Sequence, residues 1–201
     1  MALLSVKPKQ SGSSLIEFMI AGLVGAIALG MIGSLFLSNQ RASLQRSKEI
    51  MLLQQMSVVL HQMKSDVLRA GYDHWDTHSL KLSGAVGLFI TEPELVGYAY
   101  QHPAAVSASV SNTVYRLDKN NLKYCQKSST APLPATSAAT GCFNLFDPKQ
   151  IKVTQFSVQH DLVAGESTQS GMLSIVLAAS LVKAPSVSQQ MSLRLMQRNW
   201  Q

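Results

Sequence analysis

The sequence predicts an α+β protein in which one long N-terminal helix packs against an antiparallel β-sheet head. A run of about twenty residues without charge or proline opens this helix, and an amphipathic pattern then continues it to about residue 70. After Tyr72 the pattern changes to short strand-like runs separated by turn residues. We therefore expect a leader at 1–12, a membrane-spanning segment at 13–37, an amphipathic continuation at 38–70 and a β-rich head at 71–201.

The apolar run at 18–37 matches the hydrocarbon core of a bilayer, which is about 30 Å thick and is crossed at about 1.5 Å per helical residue. The only charged side chains of the leader are Lys7 and Lys9, which favours a cytoplasmic N-terminus. Three basic residues between 41 and 48 weaken this bias without reversing it. A cleavable secretory signal is shorter and ends in a small-residue motif. We therefore predict a single-pass membrane protein whose head is exported.

Glu17 is an acid at the start of this apolar run. Burying a charge at the centre of a membrane helix costs about 2–3 kcal/mol, and less near its edge. An amine at the chain's own terminus or on a neighbouring subunit could neutralise the carboxylate. The alternative is that headgroup water solvates it.

The segment Gly12–Glu17, followed directly by the apolar run, resembles the class III signal of type IV prepilins, G-F-[ST]-L-[IV]-E. In that family a membrane-embedded prepilin peptidase cleaves after the glycine and methylates the new amine. The resemblance implies cleavage between Gly12 and Ser13, N-methylation of Ser13, and a role in subunit assembly for Glu17, the fifth mature residue. The family usually has phenylalanine where this chain has Ser13, and a mid-helix proline that is missing here.

Small residues recur every four positions along the apolar helix and would give it one narrow face. These residues are Gly22, Ala26, Gly30, Ser34 and Ser38. Such a face would let other helices approach closely in a filament core. Glycine is also common in membrane helices generally, so this packing role remains one of two interpretations.

Beyond the membrane segment, apolar residues recur at 3–4-residue spacing from Leu52 to Val67, with polar residues between them. No glycine or proline interrupts 34–70, and Gly71 is a plausible helix C-cap, so we predict one helix from about 13 to 70. The closing segment Met63–Tyr72 contains an acid, an arginine and Ala-Gly-Tyr. It resembles the W-type minor pilins and the prepilin-peptidase-dependent protein B family. The J-type pseudopilins of type II secretion are close relatives of that group.

The head should contain short strands and one clear hairpin. The pattern favours strands at Val86–Ile90, Val96–Tyr100, Thr113–Leu117, Leu122–Gln126, Ile151–Gln159, Met172–Leu181 and Val187–Met196. The turn Asp118–Asn121 would join the third of these to the fourth. Residues 128–140 are rich in Ser, Thr, Ala and Pro and are predicted to be exposed and irregular.

The two cysteines, Cys125 and Cys142, both follow the predicted anchor. If the head is exported, they lie in an oxidising compartment, and a disulfide is their natural pairing. Closing a loop of about seventeen residues would contribute about 3 kcal/mol in the chain-entropy model. The alternative is a pair of unrelated buried thiols.

The charge pattern and side-chain chemistry do not favour an enzyme. The net charge is +6, but the basic residues are dispersed, which argues against nucleic acid as a partner without excluding it. Metal-ligand residue types cluster only at Asp73–His78, where no further ligand completes a site. No catalytic constellation or cofactor motif is evident.

The resemblance therefore implies a minor pilin that helps to initiate type IV pilus assembly by helix packing. Its expected partners are prepilin peptidase, other minor pilins and the major pilin, and its expected location is the bacterial inner membrane with a periplasmic head, then the pilus. Two alternatives remain open: a J-type pseudopilin of type II secretion, and a tip adhesin or DNA-uptake subunit. Salt-sensitive DNA binding by the head would support the last.

Overall fold

The structure is a computed structural model that describes residues 14–74, 78–101, 109–164 and 169–198. The leader, with Gly12 and Ser13, lies outside the described residues, so the cleavage and methylation predicted there stay predictions. In chain order the elements are α1 (Leu15–Val67), β1 (Ile90–Glu92), β2 (Leu95–Gln101), β3 (Val110–Asp118), β4 (Asn121–Ser129), α2 (Ala135–Ala138), β5 (Phe143–Asn144), β6 (Ile151–Ala164), β7 (Gln169–Leu181) and β8 (Ala184–Met196).

The chain forms two compact units, divided between Arg46 and Ser47, so that α1 begins in the first unit and ends in the second. In the first unit, the most apolar 18-residue window of α1 has a mean hydropathy of 2.3, and none of it is buried. Length and composition thus make this helix able to cross a membrane, as the sequence predicts.

The second unit places one face of α1 against two antiparallel sheets. One sheet has the strand order β1-β2-β3-β4-β5, and the other has the order β6-β7-β8. The helix residues in the shared core are Leu52, Met56, Val59, Leu60, Met63 and Val67. Their 3–4-residue spacing is the amphipathic pattern of the sequence, because that spacing returns side chains to one face of a helix. The predicted α+β class is confirmed.

The β3–β4 hairpin is also confirmed, with its turn at Lys119 and Asn120. Both residues have positive φ, 48° and 66°, as a two-residue type I′ turn requires. The Asn120 side chain donates a hydrogen bond to the Val153 carbonyl at 3.1 Å, and the Val153 N–H donates to the Asn120 carbonyl at 2.9 Å. The turn is therefore fixed to the start of β6 as well as to its own strands.

The structure corrects several expected boundaries. Helix α1 ends at Val67, and residues 68–71 form a turn, so the helix stops about one turn before Ala70. The first strand of the head is Ile90–Glu92 instead of the predicted 86–90, and Val86 is exposed.

Segment 128–140 is more ordered than its composition indicates. Strand β4 runs on to Ser129, and α2 buries Ala138 in a small cluster beside Cys125. One contribution comes from the buried Asn112 of β3, whose amide donates to the Ser129 hydroxyl at 2.8 Å and whose carbonyl oxygen accepts from the Leu133 N–H at 2.8 Å. A buried amide must find partners, so it orders the backbone around it.

Candidate assembly site

The start of α1 forms a capping box around Glu17. The Ser14 N–H donates to Glu17 Oε2 at 3.0 Å, and the Ile16 N–H lies 3.4 Å from Ser14 Oγ. A serine at the N-cap with a glutamate three residues later satisfies amides that have no partner within the helix. The carboxylate also lies at the positive end of the helix dipole, which stabilises it. The Ser-x-x-Glu spacing of Ser14 and Glu17 is the sequence signal of a capping box, which was not among the predictions.

The capping box bears directly on the predicted pairing of Glu17 with an amine. Ser13 immediately precedes Ser14, so cleavage after Gly12 would create an amine one residue before the amide that Glu17 accepts. A carboxylate has about four lone-pair sites, so the bond from the Ser14 N–H does not by itself prevent Glu17 from accepting an ammonium group as well. The geometry at Ser14 is therefore compatible with an amine partner, which stays a prediction.

The five small residues of the predicted packing face are all exposed on α1: Gly22, Ala26, Gly30, Ser34 and Ser38. A methyl group added at Gly22 or Gly30 would meet nothing within 4 Å in the described part of the chain. The Ser34 hydroxyl donates to the Met31 carbonyl of its own helix at 2.8 Å. Its polar group is thus satisfied within α1, which suits an apolar environment. Packing of this face against another helix remains a prediction.

The closing motif of α1 joins the helix to the first sheet. Gly71 has φ 79°, a backbone conformation that glycine adopts at little cost after a helix end. Its N–H donates to the Ala99 carbonyl at 2.9 Å, and the Tyr72 carbonyl accepts from the Gln101 N–H at 2.8 Å. The chain after α1 is therefore held beside β2. This gives the Ala-Gly-Tyr segment a structural role.

Asp66, the acid of the same motif, binds the side chain of a residue on β3. The Tyr115 hydroxyl donates to Asp66 Oδ2 at 2.8 Å, and Arg69 Nη1 lies 3.6 Å from Asp66 Oδ1. Although burial alone would lower the pKa of Arg69, interaction with the nearby Tyr100 side chain on β2 raises it above its ordinary value. Burial, and then the nearby Asp66 charge, raise the pKa of Tyr115 well above its ordinary value, so its hydroxyl stays a donor. The motif thus links the helix end to two strands through polar side chains.

We expect Asp66→Ala to lower the free energy of unfolding by about 1–3 kcal/mol, because it leaves the buried Tyr115 hydroxyl without its acceptor. Tyr115→Phe should lower the free energy of unfolding by about 0.5–1.5 kcal/mol. The effect is smaller because Asp66 still has its ion pair with Arg69 and is partly exposed to solvent. Urea unfolding of the two single variants and the double variant measures their coupling. Asp161→Ala, at an exposed acid on β6, is the control and should change stability by less than about 0.5 kcal/mol. Fully additive single effects would contradict a direct bond.

The predicted pairing of Cys125 with Cys142 is present in the structure as a disulfide. Cys125 lies on β4 and is fully buried, and Cys142 immediately precedes β5. The bond closes a loop that contains α2, and both cysteines belong to a small apolar cluster that also includes Ala138. The disulfide therefore fastens this segment to the first sheet.

The segment with metal-ligand residue types, Asp73–His78, lies partly outside the described residues, which omit 75–77. The Tyr72 hydroxyl and His74 Nδ1 are 3.1 Å apart, so that imidazole takes part in a local hydrogen bond. Among the residues that the structure describes, no group of three His, Cys, Asp or Glu side chains could hold a metal ion.

A long apolar N-terminal helix whose second half packs against antiparallel sheets is the pilin-like arrangement. The model of the family "Prepilin peptidase-dependent protein B" matches residues 45–196, most of the chain. The chain belongs to the prepilin peptidase-dependent protein B family. No curated protein and no solved structure matches it. The family match excludes residues 1–44, so the prepilin-like signal at Gly12–Glu17 is an independent observation.

Proposed function

We propose that this chain is a minor pilin that helps to initiate type IV pilus assembly, acting by interaction and not by catalysis. It would be inserted in the bacterial inner membrane with its head in the periplasm, cleaved after Gly12 by prepilin peptidase and methylated at Ser13. The observation that carries the proposal is the position of Glu17 at the start of an unburied apolar helix, in a family named for its dependence on that peptidase.

Glu17 supports the proposal because a carboxylate in hydrocarbon needs a cationic partner. A mature amine provides one, first within the chain and then between neighbouring subunits as their helices come together. The strength of such a pair rises as water is excluded, so it favours subunits whose helices are packed at the correct depth. The small-residue face of α1 would let those helices approach closely.

The proposed partners are other minor pilins and the major pilin. The exposed apolar surface of the first unit is the surface that membrane lipid would cover before assembly and neighbouring helices afterwards. A type II secretion pseudopilin would use the same surface. Deletion of the gene distinguishes a type IV pilus from a type II secretion system. Loss of surface pili and pilus-dependent motility would support the proposal, and loss of protein secretion alone would contradict it.

We expect Glu17→Gln to be inserted and cleaved normally but to reduce pilus assembly to the level of the deletion strain, since the amide keeps the size of the side chain and removes its charge. Surface pili are counted by electron microscopy in a strain that expresses the variant from the native locus. Immunoblotting of the membrane fraction checks that the protein level is unchanged.

Glu49→Gln is the matched control, because this acid lies on α1 outside the apolar segment. It should leave pilus number unchanged. Normal piliation with Glu17→Gln, or an equal defect with both variants, would contradict the role proposed for Glu17.

A further inference from the structure

Two arginines follow the apolar segment of α1 within the first compact unit. Arg41 and Arg46 lie four and nine positions beyond residue 37, where the apolar run ends. Both side chains are exposed, and neither has an ion pair or a side-chain hydrogen bond with another residue that the structure describes. No acid lies between Glu17 and Glu49, so this part of the helix has no counter-charge of its own.

The orientation proposed above puts both arginines on the exported side of the membrane. Basic residues are more frequent on the cytoplasmic side, and charges beside the opposite end of the span disfavour this orientation. The leader has only two lysines to set against Arg41, Arg46 and Lys48. An anionic partner at the outer surface of the membrane would compensate for this cost.

Helix geometry places the first arginine at the depth of the lipid headgroups. Arg41 follows Glu17 by 24 residues, which is about 36 Å along α1 at about 1.5 Å per residue. The hydrocarbon core of a bilayer is about 30 Å thick, and each headgroup layer adds about 5–8 Å. With Glu17 at the inner boundary of the core, Arg41 therefore lies about 6 Å beyond the outer boundary, within the headgroup layer.

Arg46 lies about 7.5 Å further along the helix and can reach the same layer. Side chains of a helix lean toward its N-terminus, which here is the direction of the membrane. An arginine can lay its apolar stem along the helix and place its charge several Å from its own Cα. Both guanidinium groups can therefore meet headgroup phosphates, which accept paired hydrogen bonds from an arginine.

We propose that Arg41 and Arg46 bind the headgroups of anionic phospholipids in the outer leaflet of the inner membrane, and that this contact fixes the depth of α1. The inference rests on the membrane orientation in the proposed function, but not on cleavage or pilus assembly. Charge complementarity and continuity with the apolar segment identify the partner. Headgroups at one end and Glu17 at the other would keep the uncharged stretch between them within the hydrocarbon core.

Native mass spectrometry of the full-length chain released from lipid nanodiscs tests the proposal. The discs contain equal amounts of phosphatidylglycerol, which is anionic, and phosphatidylcholine, which is zwitterionic, with the same acyl chains. The lipid that stays bound should be enriched in phosphatidylglycerol. Arg41→Gln and Arg46→Gln should each reduce this enrichment by up to about fivefold, the effect of one basic residue near an anionic surface, and the double variant should abolish it.

Arg194→Gln combined with Arg198→Gln is the matched control, because it removes two exposed arginines from the head and changes the net charge by the same amount. It should leave the enrichment unchanged. Replacing chloride by inorganic phosphate at equal ionic strength should also leave the enrichment unchanged, since the proposed ligand is a headgroup held in the membrane. Urea unfolding should show the same stability of the head in the native chain and in the double variant of α1.

Loss of the enrichment in the α1 double variant alone supports the proposal. An equal loss in the control variant or in phosphate buffer would overturn it, because the signal would then come from net charge or from a site for free anions. Equal binding of the two lipids by the native chain would also overturn it and leave the arginines to an acidic protein. Release of the native chain from cell membranes by alkaline carbonate is a separate outcome, which would contradict the proposed function itself.

Discussion

Leu52→Ala is expected to lower the free energy of unfolding of the head by about 2–5 kcal/mol. The Leu52 side chain is 0% exposed and lies in the core shared by α1 and the two sheets. Its truncation removes apolar contacts and leaves a cavity that the rigid sheets can only partly close.

Leu53→Ala is the control. Leu53 is the next residue of α1 and has the same side chain as Leu52, but it is 37% exposed. Its replacement should cost less than about 1 kcal/mol. Near-UV circular dichroism of the full chain during urea unfolding in detergent is the measurement, since every tyrosine and tryptophan lies at or after Tyr72 and reports on the head. Equal losses for the two variants would contradict the packing of α1.

Removing the disulfide with the double variant Cys125→Ala and Cys142→Ala is expected to destabilise the head by about 3 kcal/mol. The two cysteines are 17 residues apart, and the bond limits the conformations that this loop adopts in the unfolded chain. The small cluster of Cys125 and Ala138 should loosen as well, so that α2 becomes accessible to protease.

Reductant provides the internal control for this prediction. It should destabilise the native chain by a similar amount and leave the double variant unchanged, as followed by the same urea unfolding. A loss below about 0.5 kcal/mol on reduction would show that the loop is held by its packing and by Asn112 instead of by the disulfide.

Local patterns along the chain predicted most of the fold. The buried helix residues from Leu52 to Val67 follow the 3.6-residue period, and the β3–β4 hairpin follows from its Lys-Asn turn. Both signals are local, since neighbours in sequence determine them. The three long strands β6, β7 and β8 were likewise visible as partly alternating runs.

The division of the strands into two sheets was not visible, because it depends on partners far apart in the chain. Tyr115 and Asp66 are separated by 49 residues, and no periodicity connects a helix acid to a strand hydroxyl. The order imposed on 128–140 by Asn112 is a similar case, since composition alone favours a loop there. At the candidate site, the sequence motif was enough to identify the prepilin-like residues. The capping box could also have been predicted, because the Ser-x-x-Glu spacing of Ser14 and Glu17 is visible in the sequence.

The measurement that tests the central claim most directly is the intact mass and N-terminal sequence of the membrane-extracted protein from cells with and without prepilin peptidase. The account predicts a chain that begins at methylated Ser13 when the peptidase is present, and an uncleaved chain when it is absent. A chain that stays uncleaved in both strains, or is cut near residue 40, would contradict it.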